Sequence, residues 1–456
     1  MSINRRNFLR GMAGAASTAA LVGTLRDSAQ AQTVGLPAPE ASQIEHIIVV
    51  MMENRSFDHL LGWLPGANGK QAGLSFLDSS GNSSSTTQLT TFVGCAHPDP
   101  DHSYAGGRSE VNGGLMNGWL QTTTNDIFSI GYYSEDQLPF FSAMARNFTT
   151  CDNYFASILG PTFPNRIFQL AAQTDRLSNT LDISTLPTIF DTLADSGVSA
   201  KYYFDNVPFL ALWGTKYLSI SELFSQFLLD AAAGTLPAVS FVDPRFTILD
   251  DGEGNDDHPH ADLRAGEAFM GQIYRAVTSG PKWANTVVVF NRDEWGGFFD
   301  TVPPTRVIAP NDVDTDLVDG NALLGCRVPV VVVSPFTLGT PATPRIDSNL
   351  YDHTSVLKLI EWRYNLPPLT SRDASNDIAN LALALNFSSP SAASAPALPV
   401  ITPPIPTPCG LFELGSEIDN ESYDFFKLLA SDLVGSWRSA GKSIPAAPSG
   451  PTIPSL

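Results

Sequence analysis

Two apolar runs in this chain end in acids. Ile47-Ile-Val-Val-Met-Met52 leads directly into Glu53-Asn54-Arg55-Ser56-Phe57-Asp58-His59, and Thr286-Val-Val-Val-Phe290 leads through Asn291-Arg292 to Asp293-Glu294 and then to Gly296-Gly297. Glu53 reads either as the cap of a following helix or as a ligand at the end of a strand. Adjacent carboxylates such as Asp293 and Glu294 repel unless a cation lies between them. The glycine pair lets the backbone turn tightly and approach a ligand. A third segment, Gly160-Pro161-Thr162-Phe163-Pro164-Asn165-Arg166, opens an amphipathic run. A helix N-terminus there offers free N–H groups to phosphate, with Thr162 as candidate nucleophile and Asn165 and Arg166 as candidate phosphate contacts. His102, His258 and His353 each follow an aspartate in sequence. Aspartate can orient an imidazole and raise its pKa, which suits an acid that protonates a leaving alcohol.

These residues need elements to hold them. Strand-like stretches at Ile47–Met52, Ala200–Phe204, Ala238–Val242, Thr286–Phe290 and Val328–Val333 alternate with amphipathic stretches such as Leu263–Thr278 and Thr354–Tyr364. That alternation predicts an α/β fold, a mostly parallel sheet covered by helices on both faces. Open sheets of this kind bind ligands beyond the strand ends, where Glu53 and Asp293 would stand. Residues 66–135 are rich in Gly, Ser, Thr and Asn and read as a long excursion. Residues 388–410 form an Ala/Pro/Ser-rich linker. In 411–456, Phe425, Leu428, Leu429, Leu433 and Trp437 mark a packed C-terminal helix followed by a loose tail. The catalytic unit is expected over residues 32–387.

With 456 residues, 43% of them hydrophobic, the chain can bury a large core. A formal net charge of −20 argues against nucleic acid as a partner and disfavours an anionic membrane surface, although a local patch could still dock transiently on lipid. Residues 1–31 read as an export signal: Arg5-Arg6-Asn7-Phe8-Leu9-Arg10, a modest apolar stretch, then Ala29-Gln30-Ala31. The paired arginines resemble a twin-arginine signal, so the expectation is passage of a folded, metal-loaded protein through the twin-arginine export machinery to the periplasm or beyond. Four cysteines are too few for a disulfide scaffold, and spacing does not reveal their pairing.

The string Glu53-Asn54-Arg55-Ser56-Phe57-Asp58 resembles the opening motif of the phosphoesterase family, which contains bacterial and plant phospholipases C and a branch of acid phosphatases. The likeness runs from about Ile44 to Asp373. It takes in Met116-Asn117-Gly118-Trp119, Cys151-Asp152 through Asn165-Arg166, Asp243-Pro244-Arg245, Asp256-Asp257-His258-Pro259, Gly296-Gly297-Phe298 with Val302-Pro303-Pro304, and Arg327-Val328-Pro329. The resemblance implies an alkaline-phosphatase-like fold and a phospholipase C that releases diacylglycerol through a phosphothreonine. It further implies that Glu53, Asn54, Thr162, Asp293 and Glu294 ligate a metal, with His102, His258 and His353 around the phosphoryl group. The oxygen-rich ligand set favours Ca²⁺, Mg²⁺ or Mn²⁺, with Zn²⁺ an alternative if a histidine joins. An acid phosphatase acting on monoesters and a catalytically silent exported binding protein are the competing readings. Trp295 and Thr301 stand where the family commonly has histidine. Trp119, Trp295, Phe298 and Phe299 are either an apolar entrance for lipid or part of the core.

Overall fold

The computed structural model describes residues 35–388, 394–409 and 421–448. The export-signal segment and residues 410–420 lie outside them. The sheet strands are β1 (His46–Met52), β2 (Thr149–Cys151), β3 (Ala200–Phe204), β4 (Ser221–Leu223), β5 (Val239–Val242), β6 (Thr286–Arg292), β7 (Val330–Val333) and β8 (Arg345–Asp347). Their order is β8-β2-β7-β6-β1-β5-β3-β4, an eight-stranded sheet. Only β7, which is antiparallel to both β6 and β2, runs against the others. The fold is therefore the mostly parallel, helix-covered α/β class that the alternation predicts.

β1 is fully buried along its length because both faces are covered. Ile47 and Val49 join one apolar core, and Ile48, Val50 and Met52 join the other. The helices that matter for the site are α1 (Phe57–Leu61), α2 (Tyr104–Val111), α3 (Pro139–Asn147), α4 (Thr162–Ala171), α5 (Leu263–Thr278), α6 (His353–Tyr364), α7 (Glu421–Ala430) and α8 (Asp432–Ser439). The expected single C-terminal helix is thus two helices, broken where the Ser431 side chain caps the second by accepting from Val434 N–H. Both pack into the larger core: the Phe425 ring stacks on Phe246 at 3.9 Å, and Trp437 meets Phe204 edge-on. A disulfide joins Cys95 in the excursion to Cys409 ahead of α7, while Cys151 and Cys326 are free and buried. No helix among the described residues is long and apolar enough to cross a membrane.

Candidate active site

Register builds the site. Met51 pairs with Asn291 and Met52 with Arg292, so the next residues on the two central strands, Glu53 and Asp293, leave the sheet side by side. β5 lies on the other side of β1 and delivers Asp243 at the same edge. Three acids from three strand ends would repel, and Arg166, on the first turns of α4, lies between them. Its Nε donates to Asp293 Oδ2 at 2.9 Å, Nη1 to Asp243 Oδ1 at 3.2 Å, and Nη2 to Glu53 Oε1 at 3.3 Å and to the Met52 carbonyl. Tyr202 O–H fixes the other Asp243 oxygen at 2.5 Å.

This geometry corrects the expectation that Arg166 and Asn165 contact phosphate. Every nitrogen of the Arg166 guanidinium is engaged by carboxylates or strand carbonyls. The Asn165 amide binds its own loop, donating to the carbonyls of Ile158, Gly160 and Pro161 and accepting from Ile158 N–H. Its work is to shape the turn that presents Thr162. Thr162 opens α4, is fully buried, and lies one helical turn from Arg166, on the face turned to the strand ends.

Asn54 follows Glu53 into the site, while Arg55 and Ser56 turn away to brace it. Arg55 Nε donates to the Asp257 carbonyl at 2.7 Å and Nη2 to the His258 carbonyl at 3.0 Å, which holds the histidine loop. Ser56 Oγ donates to the Phe299 carbonyl and caps α1. Behind the second acid pair, Gly296 sits at φ +61°, and a Cβ there would lie 2.2 Å from the Asn54 carbonyl oxygen. The glycine is what lets the two acid-bearing loops touch.

The three histidines take different positions. The His102 Nδ1–H donates to the Pro100 carbonyl at 2.7 Å, leaving Nε2 directed at the Glu421 carboxylate 3.7 Å away. Burial alone would lower its pKa, but the carboxylates of Glu294 and Asp99 outweigh that and raise it to about 9. His258 accepts from His260 N–H through Nδ1, so its proton sits on Nε2, 3.3 Å from Asp99. His353 opens α6 beneath Asp293: Nε2 donates to the Asp293 carbonyl at 2.6 Å, and Nδ1 faces Tyr154 O–H at 3.3 Å. With both nitrogens engaged and burial holding its pKa down to about 4, His353 is neutral and supports the Asp293 loop rather than lining the phosphoryl pocket.

Two overlapping groups, Glu53 with Asp293 and Glu421, and His102 with Glu294 and Glu421, each bring ligand atoms within 4.8 Å of one another. Five buried oxygens here have no hydrogen-bond partner: Glu53 Oε2, Asn54 Oδ1, Thr162 Oγ1, Glu294 Oε1 and Glu421 Oε1. Burial, reinforced by repulsion from neighbouring carboxylates, pushes Glu53 and Glu421 well up; burial also raises Glu294 to about 8 against the pull of His102, and Asp293 to about 6 against that of Arg166. Buried acids with unmatched oxygens are what a divalent cation would satisfy, and the donors are mostly the hard oxygens such ions prefer. A third group, Asp250 with His258 and His260, does not suit a cation. The His258 lone pair is already accepting, and His260, raised to about 9 despite burial by Asp250 beside it, is an imidazolium in an ion pair.

Sequence reasoning missed Glu421, one of several acids in an acid-rich segment far along the chain from the strand-end motifs, and gave no role to Asp243 or Asp99. It left Trp119, Trp295, Phe298 and Phe299 open between entrance and core, and all four are completely buried. The Trp295 indole donates to Glu110 Oε2 at 2.7 Å, and Thr301 Oγ1 donates to Asp58 Oδ2 at 2.6 Å. The two departures from the family pattern are thus absorbed into the scaffold.

Fold and site together define a mostly parallel α/β protein with a buried, cation-compatible acid centre at the carboxyl edge of its sheet. The Phosphoesterase family model matches residues 44–367, and the chain belongs to that family. It is 32% identical over 378 residues to non-specific phospholipase C6 of Arabidopsis thaliana, covering 73% of this chain and 71% of the relative. It is 30% identical to phospholipase C A of Mycobacterium tuberculosis, covering 87% of this chain and 88% of that one. A solved structure of an alkaline phosphatase superfamily protein from Vibrio parahaemolyticus aligns with TM-score 0.35 at 9% identity, over 78% of each chain. The protein is a hydrolase acting on phosphoric ester bonds.

Proposed function

We propose that this hydrolase is an exported, metal-dependent phospholipase C that cleaves the glycerol-side P–O bond of phospholipids through a phosphothreonine. The observation that carries this reading is the set of five unpartnered buried oxygens around Thr162 and the strand ends. Glu53, Asn54, Thr162, Asp293 and Glu294 would hold the cation, which when bound supplies positive charge that acidifies the threonine hydroxyl and offsets charge on the phosphoryl oxygen. Thr162 Oγ, its acidified proton lost to solvent, attacks phosphorus in line as the bond to the diacylglycerol oxygen breaks, and it leaves again as the alkoxide when water opens the phosphothreonine. His102, cationic at neutral pH with only Nε2 uncommitted to backbone, donates its proton to that oxygen. The resulting neutral imidazole then accepts a proton from the water that opens the phosphothreonine. His258 has its Nε2–H turned to Asp99 and its carbonyl held by Arg55, so its role in this reading is to brace the loop and not to donate a proton.

The relatives' names support the lipid substrate, and the Cys95–Cys409 disulfide supports an oxidising compartment beyond the twin-arginine-like segment. Leu77, Leu115 and Ile127, all exposed on the excursion, are the side chains we assign to transient contact with a lipid surface. The test is product analysis of metal-reconstituted protein on phosphatidylcholine vesicles and p-nitrophenyl phosphate in parallel. Diacylglycerol release that Thr162→Ala lowers by roughly 10³-fold or more is expected; hydrolysis of the monoester alone would replace this reading with an acid phosphatase.

A further inference from the structure

We propose that Glu421, which lies beyond the family-matched stretch, is a working member of the centre: one carboxylate oxygen orients Asn54, and the other is a further donor to the cation. The inference rests on the metal-dependent reading above. The Asn54 Nδ2 donates to Glu421 Oε2 at 2.6 Å. That bond decides which way the amide faces. With its nitrogen committed to Glu421, Asn54 leaves Oδ1, its one cation-binding atom, buried and without a donor. Glu421 Oε1 is likewise buried and without a donor, and the Glu421 carboxylate shares ligand range with Glu53 and Asp293 on one side and with His102 and Glu294 on the other. No other acid belongs to both groups, so Glu421 joins the two halves of the site.

Electrostatics points the same way. Arg166 is already shared among Glu53, Asp243 and Asp293, and His102 is too distant from Glu421 for a hydrogen bond. Adding one more buried carboxylate to this set has a strong desolvation cost that either a proton or a cation must offset, and a divalent cation would offset it for several of these acids at once. Glu421 is also not a removable plug occupying a phosphate position. α7 is anchored through Phe425, which packs against Phe246 and, at 5.5 Å, against Phe163 beside the nucleophile. Ser422 and Leu428 are fully buried, and the Trp437 indole donates to the Gly214 carbonyl at 2.7 Å. These contacts of the C-terminal helices place Glu421 at the centre.

Calorimetric titration of Ca²⁺ and, separately, Mn²⁺ into the metal-stripped full chain tests this, with thermal melts in the presence and absence of each ion. In Glu421→Ala, affinity is expected to fall at least about tenfold and the ion-induced rise in Tm to shrink in step. Glu421→Gln keeps an acceptor for Asn54 but loses the charge, so it should fall between the two; it also serves if the alanine variant does not fold. Lys427→Ala, on the same helix, half-buried and paired with Asp424 rather than with the centre, should bind like wild type. Wild-type affinity in the Glu421 variants, or higher activity in them, overturns the proposal. Failure of the wild type itself to bind either ion would instead remove the metal-dependent reading on which it rests.

Discussion

The division of labour among neighbouring residues is sharper than their adjacency suggests. Glu53 and Asn54 face the centre, whereas Arg55, Ser56 and Asp58 fasten it to the histidine loop, to Phe299 and to Thr301. Thr162 and Arg166 share a helix face, yet one is left with a bare hydroxyl and the other has every guanidinium nitrogen engaged. Replacing Arg166 with Met removes the cation shared by three buried acids. We expect a loss of about 3–5 kcal/mol in stability, measured by denaturant unfolding, partly restored by added divalent cation. Thr162→Ala should instead leave the unfolding free energy within about 1 kcal/mol of wild type while turnover collapses, because its Oγ has no partner to lose. The acid pairs and Thr162 were legible in the sequence because each sits at an abrupt change of pattern. Arg166 was misread for a physical reason: a guanidinium beside a phosphate site is attracted equally by phosphate and by carboxylate, and the strand register that brings Asp243, Glu53 and Asp293 together is not written in local spacing.

Elements with a strong period were the readable ones. Ala200–Phe204 and Leu263–Thr278 form with the expected bounds, and β1 and β6 differ from expectation by only one or two residues at their ends. β2 and β8 are three-residue strands, Thr149–Cys151 and Arg345–Asp347, too short for any alternation to register and specified by pairing with strands distant in sequence. The reversed direction of β7 was equally hidden, since a fully buried strand reads the same way whichever way it runs. Positive φ carries the prediction at this scale. Gly296→Ala would drive a methyl group into the Asn54 carbonyl, so displacement of that loop should reduce kcat/KM on any phosphoester, and a crystal structure of the variant should show Asn54 moved. Phe425→Ala, which empties the space between α7 and the Phe246 ring, is expected to cost about 3–5 kcal/mol in a chemical melt.

For the molecule as a whole, burial of acids sets the response to pH. Glu267 on α5 accepts from the Phe140 and Phe141 N–H groups at the start of α3, yet its second oxygen is buried without a donor. Burial, only partly offset by those two bonds, raises it to about 8 from an ordinary 4.5. The folded state therefore holds a proton there that the unfolded chain releases above its own pKa. Its contribution to stability is fully present below about pH 4.5 and is lost as pH rises towards 8. Glu267→Gln, which cannot ionise, should flatten the fall in Tm between those values; an unchanged profile would count against this assignment. Breaking the Cys95–Cys409 bridge by a double serine substitution should lower stability by up to about 5 kcal/mol, since it closes a loop of 314 residues.

The pairing of β1 with β6 has a consequence in time. His46 finds its strand partner at Thr286, and Cys95 finds its own at Cys409. A ribosome releasing this chain from its N-terminus exposes Glu53 and Thr162 long before Asp293 exists to stand beside them. The nascent polypeptide thus carries the nucleophile and the first acid of the centre for well over a hundred residues of synthesis before the strand that completes the pair has been made.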